Sequence, residues 1–184
     1  MGYETSFLIP KSELTLTDQK NYMAAAVASG LQRASEKLNV SQSELMVRHF
    51  ENILDAGAAA DQWRTAALAA VGTAYSCFQA VGAPTLANNK VAVFYKVGIE
   101  TTPLPISLLT FRSGGAAGNI KAEFDCEQLV NSQEVEGYFS FVVPVDPTET
   151  FAVQALCRIA TGAFARVQLG AFIIEPKGQR IASM

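Results

Sequence analysis

Residues that commonly serve in catalytic and metal sites are scarce in this 184-residue sequence. It contains one histidine, His49, and three widely spaced cysteines, Cys77, Cys126 and Cys157. A serine or cysteine nucleophile needs a nearby base, and a zinc site needs about four clustered ligands. No nucleophile stands beside His49, so we expect a surface or half-buried histidine. The sequence therefore predicts a protein that is not an enzyme, with no catalytic, cofactor-binding or metal-binding residues.

Charge is also scarce. Charged residues make up 17% of the chain and hydrophobic residues 49%, with a net charge of −3 and a pI of about 5.2. The absence of a basic stripe argues against nucleic-acid binding. A surface poor in charge is typical of a protein that a partner covers, although the high alanine content explains the composition equally well. The odd number of cysteines indicates buried free thiols in a reducing compartment and no disulfide framework.

Sorting and membrane signals are weak. The first thirteen residues, MGYETSFLIPKSE, contain acids and a proline and do not resemble a signal peptide. Met1-Gly2 with Ser6 matches a myristoylation pattern, but a motif this short usually occurs by chance. Residues 65–89 carry no charge and are long enough to span a membrane. Because this stretch is rich in alanine and contains glycine, proline and polar residues, we favour a buried helix and no membrane contact.

The first half of the sequence predicts an extended arm and about three helices. Residues 1–14 form the arm, which docks on its own domain or reaches a neighbouring molecule. A first helix follows from Asp18, capped by Thr15 or Thr17 and ended by Asn39. Its apolar face consists of Met23, Val27, Leu31, Ala34 and Leu38.

Two more helices are predicted before residue 86. Ser41 and Glu44 form a capping-box pattern at the start of a helix over residues 41–57. Asp61 is placed to cap a helix over residues 61–81, which is apolar on nearly all sides and is expected to be the buried central helix. One of its stripes contains Leu68, Val71, Tyr75 and Phe78.

The second half predicts about six strands. Candidate strands cover residues 91–100, 106–112 and 120–127, and three more alternating runs lie in residues 137–178. Helices followed by strands indicate an α+β fold. We therefore predict an arm and helical region over residues 1–86. An antiparallel β-sandwich resembling a jelly roll is predicted over residues 87–184.

Two local patterns have both a functional and a structural interpretation. The glycine-rich stretch 113–119 lacks a following Lys-Ser/Thr and precedes a strand, so a flexible connection that could contact a partner is favoured over a phosphate loop. Near pairs of acids could support glycoside hydrolysis, or calcium binding at the Asp146 turn, but their spacing fits the solvated face of strands better. These pairs are Glu134 with Glu136, Asp125 with Glu127, and Asp146 with Glu149.

The run YFSFVVPVDPTETFAVQAL, followed by ARVQLGAFIIEP, resembles the closing strands of jelly-roll or sandwich domains in virion proteins of tailed phages. Such domains occur in capsid decoration (cement) proteins, tail proteins and fibre tips, and the resemblance covers residues 90–178. It implies a non-enzymatic shell or tail subunit that binds copies of itself and a neighbouring virion protein. The helical first half departs from the simplest decoration proteins, which are nearly all β.

The expected function is therefore that of a virion structural protein, most specifically a phage capsid decoration or stabilising subunit. We expect a homo-oligomer, a trimer or hexamer, made in the host cytoplasm and located in the virion. The alternative is a ligand-binding module, for example carbohydrate-binding, with a helical appendage. Its usual exposed aromatic residues are not evident, because the one tryptophan, Trp63, lies in the first half. An enzyme of unrecognised type is a third hypothesis.

Overall fold

The computed structural model describes residues 6–51, 55, 64–78, 83–101 and 103–178. Within these ranges the protein is mostly β, with nine strands and one long helix. The helices with described bounds are α1 (Leu16–Leu38) and α2 (Glu127–Ser132). The strands are β1 (Ser6–Pro10), β2 (Leu45–His49), β3 (Ala74–Ser76), β4 (Val91–Ile99), β5 (Ile106–Ser113), β6 (Asn119–Asp125), β7 (Glu136–Val145), β8 (Phe151–Cys157) and β9 (Val167–Pro176).

The strands form one curled, mixed sheet in the order β2-β9-β4-β7-β1-β6-β5-β8-β3. β1 joins its two halves, pairing antiparallel with β7 and parallel with β6. The other strands pair in a nested way, because β2, β3, β4 and β5 pair with β9, β8, β7 and β6 respectively. This nested pairing over eight strands is a double Greek key.

Aromatic side chains fill the space enclosed by the curled sheet. The five phenylalanines at its centre are Phe94, Phe111, Phe124, Phe139 and Phe151, each at most 1% exposed. Their rings contact one another, with centroids 4.4 Å apart for Phe124 and Phe139 and 5.5 Å apart for Phe94 and Phe111. Burial of this much aromatic surface is the main driving force for closing the two halves on each other.

α1 covers the outer face of the half that contains β9, β4 and β7. Of the two predicted caps, Thr15 is confirmed, since it forms a capping box with Asp18, although α1 begins at Leu16 and not at the predicted Asp18. Asn39 ends the helix, as predicted, in the left-handed conformation. The residues that α1 buries completely form a line of Ala26, Gly30 and Ala34. A Cβ on Gly30 would lie 2.6 Å from Cδ1 of Ile174, so only glycine permits this close approach.

The predicted fold class, α+β with about three helices before a six-stranded antiparallel sandwich, is wrong. The six predicted strands are present as β4 to β9, but β1, β2 and β3 from the first half join the same sheet. Pairing of β1 with β6 also makes the sheet mixed. The division into two domains at residue 86 stays a prediction.

The second predicted helix, over residues 41–57, is wrong over residues 42–49, although Asp55 within that range is helical and its N–H donates to the Glu51 carbonyl at 2.8 Å. Residues 42–44 form a single 3-10 turn, and Leu45–His49 is the edge strand β2. Leu45 and Val47 alternate into the layer beneath α1, a period of two that the helical spacing concealed. Pairing with β9 thus overrides local helix propensity.

The third predicted helix is also wrong within residues 64–78. These residues contain β3 and a turn at Gly72, whose φ of 76° favours glycine. Leu68 is buried as predicted, but Val71 is 65% exposed. Across the described part of the chain, none of the helices has the length and hydropathy required to cross a membrane.

The N-terminal arm docks on its own chain from Ser6 onward. Leu8 is fully buried in the core, while Phe7 is 50% exposed. Lys11 and Ser12 then bind Glu136 and Glu134, respectively, at the start of β7. Residues 1–5 of the predicted arm lie outside the described residues.

Candidate functional site

The two ends of the curled sheet differ in how their connections are held. At the end we call the turn end, the connections 113–119 and 146–150 lie beside the segment that precedes β4. At the opposite end, the loop end, lie the connections 100–105, 126–135 and 158–166. Residues 64–73 also reach the loop end, since the Leu68 N–H donates to the Ala163 carbonyl.

Ion pairs hold the turn of residues 146–149 to the rest of the protein. Arg33 of α1 binds both carboxylate oxygens of Asp146 at 2.5 and 2.9 Å, and Lys37 lies 3.3 Å away. Burial alone would raise the pKa of the Asp146 carboxyl, but the two cations lower it below its ordinary value. Lys121 binds Glu149 at 2.7 Å.

A second, buried ion network lies at the turn end between β2 and β9. Arg48 donates to both oxygens of Asp55 at 2.7 and 2.8 Å and to Glu175 at 2.8 Å. Lys90 completes it with a 2.9 Å bond to Asp55. Burial acts to raise the pKa of the Asp55 carboxyl, but its bonds to Arg48, to the Glu51 N–H and to Lys90 lower it. Two cations therefore balance two carboxylates that water barely reaches.

The glycine-rich connection 113–119 is held in place by hydrogen bonds, unlike the flexible loop that the sequence predicts. Arg112 donates to the Gly118 carbonyl at 2.9 Å, and Gln154 donates to the Ala116 carbonyl at 3.3 Å. The Gly114 N–H donates to the Thr150 carbonyl at 2.7 Å. The stretch is thus a tied hairpin turn between β5 and β6, and we assign it no binding role.

A cleft of about 460 Å³ opens at the loop end. This loop-end cleft is lined mainly by Leu104, Leu129, Val130, Val135, Arg158 and Ile159. Leu104 and Leu129 are 7% and 0% exposed and form its floor, whereas Val135 on the rim is 44% exposed. Its volume lies within the range of small-molecule sites, roughly 300–1,000 Å³.

Backbone hydrogen bonds hold the walls of the loop-end cleft. The N–H groups of Arg158 and Ile159 both donate to the Pro105 carbonyl, at 2.7 and 3.1 Å. Gln133 ends α2 with a φ of 58°, which lets the Glu134 N–H donate to the Leu129 carbonyl at 3.0 Å. The cleft is therefore formed without any rearrangement of these connections.

Arg158 is the unusual charge of the loop-end cleft. Its guanidinium has no hydrogen bond to another described residue and no described carboxylate within 4.0 Å. Glu134, which also lines the cleft, accepts the Ser12 N–H at 3.1 and 3.3 Å. Asp125 and Glu127 line an adjoining cavity of about 220 Å³ that shares Arg158, and Asp125 accepts the Glu127 N–H at 2.6 Å.

Two more arginines lie at the loop end. Arg64 and Arg166 are backbone partners, and the Arg64 guanidinium lies 4.8 Å from the centre of the Phe164 ring. The Nε atom of Arg64 is buried without a hydrogen-bond partner among the described residues. In the same part of the chain, Arg166 is paired only with Glu100, at 3.6 Å between two exposed side chains. The described arginines of this end are thus less tightly paired than Arg33 and Arg48 at the turn end.

The predicted non-catalytic residues lie in unremarkable environments. His49 is exposed at the end of β2, with its ring 5.4 Å from that of Phe172. Cys77, Cys126 and Cys157 are free and buried, as predicted. Burial raises the pKa of the Cys77 and Cys126 thiols, which keeps them protonated. The reducing compartment stays a prediction.

The paired acids have structural partners in most cases. Glu136 binds Lys11 at 2.7 Å and Lys96 at 2.5 Å, and Asp146 and Glu149 hold their own turn. In the part of the chain that the structure describes, no three His, Cys, Asp or Glu side chains come together as a metal site would require. Sequence reasoning missed Arg158, because an arginine after a strand carries no signal that it will lack a partner.

Comparison with known proteins gives little. No family model and no curated protein matches this chain. The chain is weakly similar to one chain in a structure of the infectious bursal disease virus Gt strain, at 12% identity and a TM-score of 0.36. The match covers 74% of this chain and 33% of that one, so this chain spans about a third of that chain's length. A similarity at this TM-score does not support an inference about the fold or the function of this chain.

Proposed function

We propose that this protein is a virion structural subunit that associates with copies of itself and with a neighbouring virion protein. The observation that carries the proposal is the nested pairing of β2 to β9 around a filled aromatic interior. Double Greek-key sheets of eight strands form viral capsid and lectin domains and cupins. This support is a fold-level analogy.

The surface offers a second line of support. Large apolar side chains are exposed at several places on the described surface: Phe7, Leu16, Val71, Val135, Phe141 and Phe164, each 43–76% exposed. Subunits of assemblies cover such residues with neighbouring copies. The sequence resemblance to phage decoration and tail proteins extends the proposal to a capsid or tail position.

The test uses the purified full chain. Light scattering after size exclusion should give a closed oligomer, a trimer or hexamer, and negative-stain images should show particles of one size. Mass spectrometry of virus particles that carry this gene should find the protein in many copies per particle. A protein that stays monomeric at every concentration and is missing from the particles would contradict the proposal.

A ligand-binding module is the second candidate, and the loop-end cleft is the observation that favours it. Lectins share the double Greek-key architecture. A glycan array separates the two hypotheses. Saturable binding of one glycan by a monomeric protein would support the module, whereas the structural subunit should bind none of them.

A further inference from the structure

We propose that the loop-end cleft binds a carboxylate carried on a short apolar group, and that Arg158 pairs with the carboxylate. The inference concerns a binding site and does not depend on the proposed virion role. It rests on the charge, the floor and the rigidity of the cleft.

The positive charge of Arg158 determines which end of the ligand it binds. Arg158 has no partner among the described residues, and the acid that shares the cleft, Glu134, already accepts a backbone N–H from Ser12. A guanidinium presents a planar fork of N–H donors that matches the two oxygens of a carboxylate. Arg158 is therefore the group in the cleft that can bind an anion, while Glu134 is held by Ser12 on the N-terminal segment.

The floor determines what the carboxylate is attached to. Leu104 and Leu129 close the bottom of the cleft, and Val130, Val135 and Ile159 line its sides. A short alkyl group placed against them would remove the exposed Val135 side chain from water. The volume of about 460 Å³ is more than enough for a group of a few carbon atoms.

The walls are already in their binding arrangement. The Pro105 carbonyl holds the backbone of Arg158 and Ile159, and the Leu129 carbonyl holds that of Glu134. A preformed cleft loses little conformational entropy on binding, so even a small ligand can be retained. The exposed Arg158 side chain is the part of the cleft that would lose the most conformational freedom on binding.

The first experiment titrates the full chain with three matched probes, followed by amide and methyl NMR. The probes are hexanoate, hexylamine and hexanol, which share a six-carbon chain and differ in charge. We expect saturable shifts with hexanoate at Leu104, Leu129 and Val135, weakened by added salt. Hexylamine and hexanol should give no saturable shifts at these residues. Equal binding of all three probes, or none, overturns the proposal.

Variants then test the role of Arg158. Arg158→Gln should weaken hexanoate binding about tenfold or more, because a charge-assisted hydrogen bond is lost. Arg158→Lys keeps the charge without the fork and should give an intermediate loss. Arg166→Gln is the matched control, since Arg166 lies at the same end outside the cleft lining, and should bind like the wild type. Because the Arg158 side chain has no described partner, its variants should keep the wild-type NMR spectrum elsewhere. Unchanged binding by Arg158→Gln overturns the assignment.

A last arm distinguishes the source of the carboxylate. The peptide acetyl-Leu-Asp-Leu-amide carries the same chemistry on a polypeptide. Competition by this peptide against hexanoate indicates an acidic, apolar protein segment as the natural ligand. Binding of hexanoate without competition indicates a free organic acid. Either result supports the site, and failure of both probes to bind overturns it.

Discussion

The turn end and the loop end are built from the same strands but differ in how their charged side chains are paired. At the turn end, Arg48 and Lys90 meet buried carboxylates, and Arg33 meets Asp146. At the loop end, Arg158 has no described partner and Arg64 has a buried nitrogen without one. Glu136, held by two lysines, and the exposed pair of Arg166 with Glu100 are the exceptions there. Paired charges fix connections in place, whereas an unpaired arginine is free to bind something else.

The largest expected effect tests the buried network of the turn end. Asp55→Asn keeps the shape of the side chain but leaves Arg48 and Lys90 with one carboxylate fewer. We expect a loss of about 3–5 kcal/mol in the free energy of unfolding, since breaking a buried ion pair leaves an uncompensated charge in the interior. Urea unfolding measures it. Glu100→Gln at the loop end is the control and should change stability by less than about 0.5 kcal/mol.

A comparable effect at the loop end would come from its apolar packing alone. Leu68 is fully buried, so Leu68→Ala should cost about 2–5 kcal/mol through lost burial and the cavity left behind. Val71, three residues later, is 65% exposed, and Val71→Ala should change stability by less than about 0.5 kcal/mol. Thermal unfolding of both variants measures the contrast. Equal losses of stability would contradict the exposure of Val71 and would favour the buried helix that the sequence predicted.

The half-buried ion pair between Arg33 and Asp146 at the turn end should contribute less to the free energy of unfolding, and its contribution should depend on pH. Arg33 and Asp146 should show a coupling of about 0.2–1 kcal/mol in a double-mutant cycle with Arg33→Gln and Asp146→Asn. The folded protein lowers the pKa of Asp146, so this stability is present above the unfolded value, about 3.9. It should be lost as the pH falls through the lower, folded pKa. A coupling that does not change between pH 7 and pH 2 would show that the charge is irrelevant.

The smallest expected effect concerns Arg158. Because its guanidinium contacts no described polar partner, Arg158→Gln should alter the free energy of unfolding by less than about 0.5 kcal/mol. Urea unfolding in parallel with Asp55→Asn gives the direct comparison of the two ends. A loss above about 1 kcal/mol would mean that Arg158 stabilises the loop end itself.

The sequence by itself determined the strands of the second half and the first helix. Val167, Leu169, Ala171 and Ile173 all lie in the core, as their two-residue spacing predicts, because successive side chains of a strand point to opposite faces of the sheet. Thr15, one of the two predicted caps, marked the start of α1 to within two residues, because capping is local chemistry that needs no distant contact. The absence of a recognisable enzyme motif was also evident, although it leaves the function a proposal.

Only the tertiary structure decided the rest. β2 and β3 are short edge strands whose conformation depends on pairing with β9 and β8, so helix-like spacing in the sequence predicted them wrongly. Tyr138 is buried because α1 packs on that side of β7. Arg158, without a partner among the described residues, lies beside Leu104 and Leu129 because strands distant in sequence meet at the loop end. Long-range pairing, and not local preference, placed the residues that form the cleft.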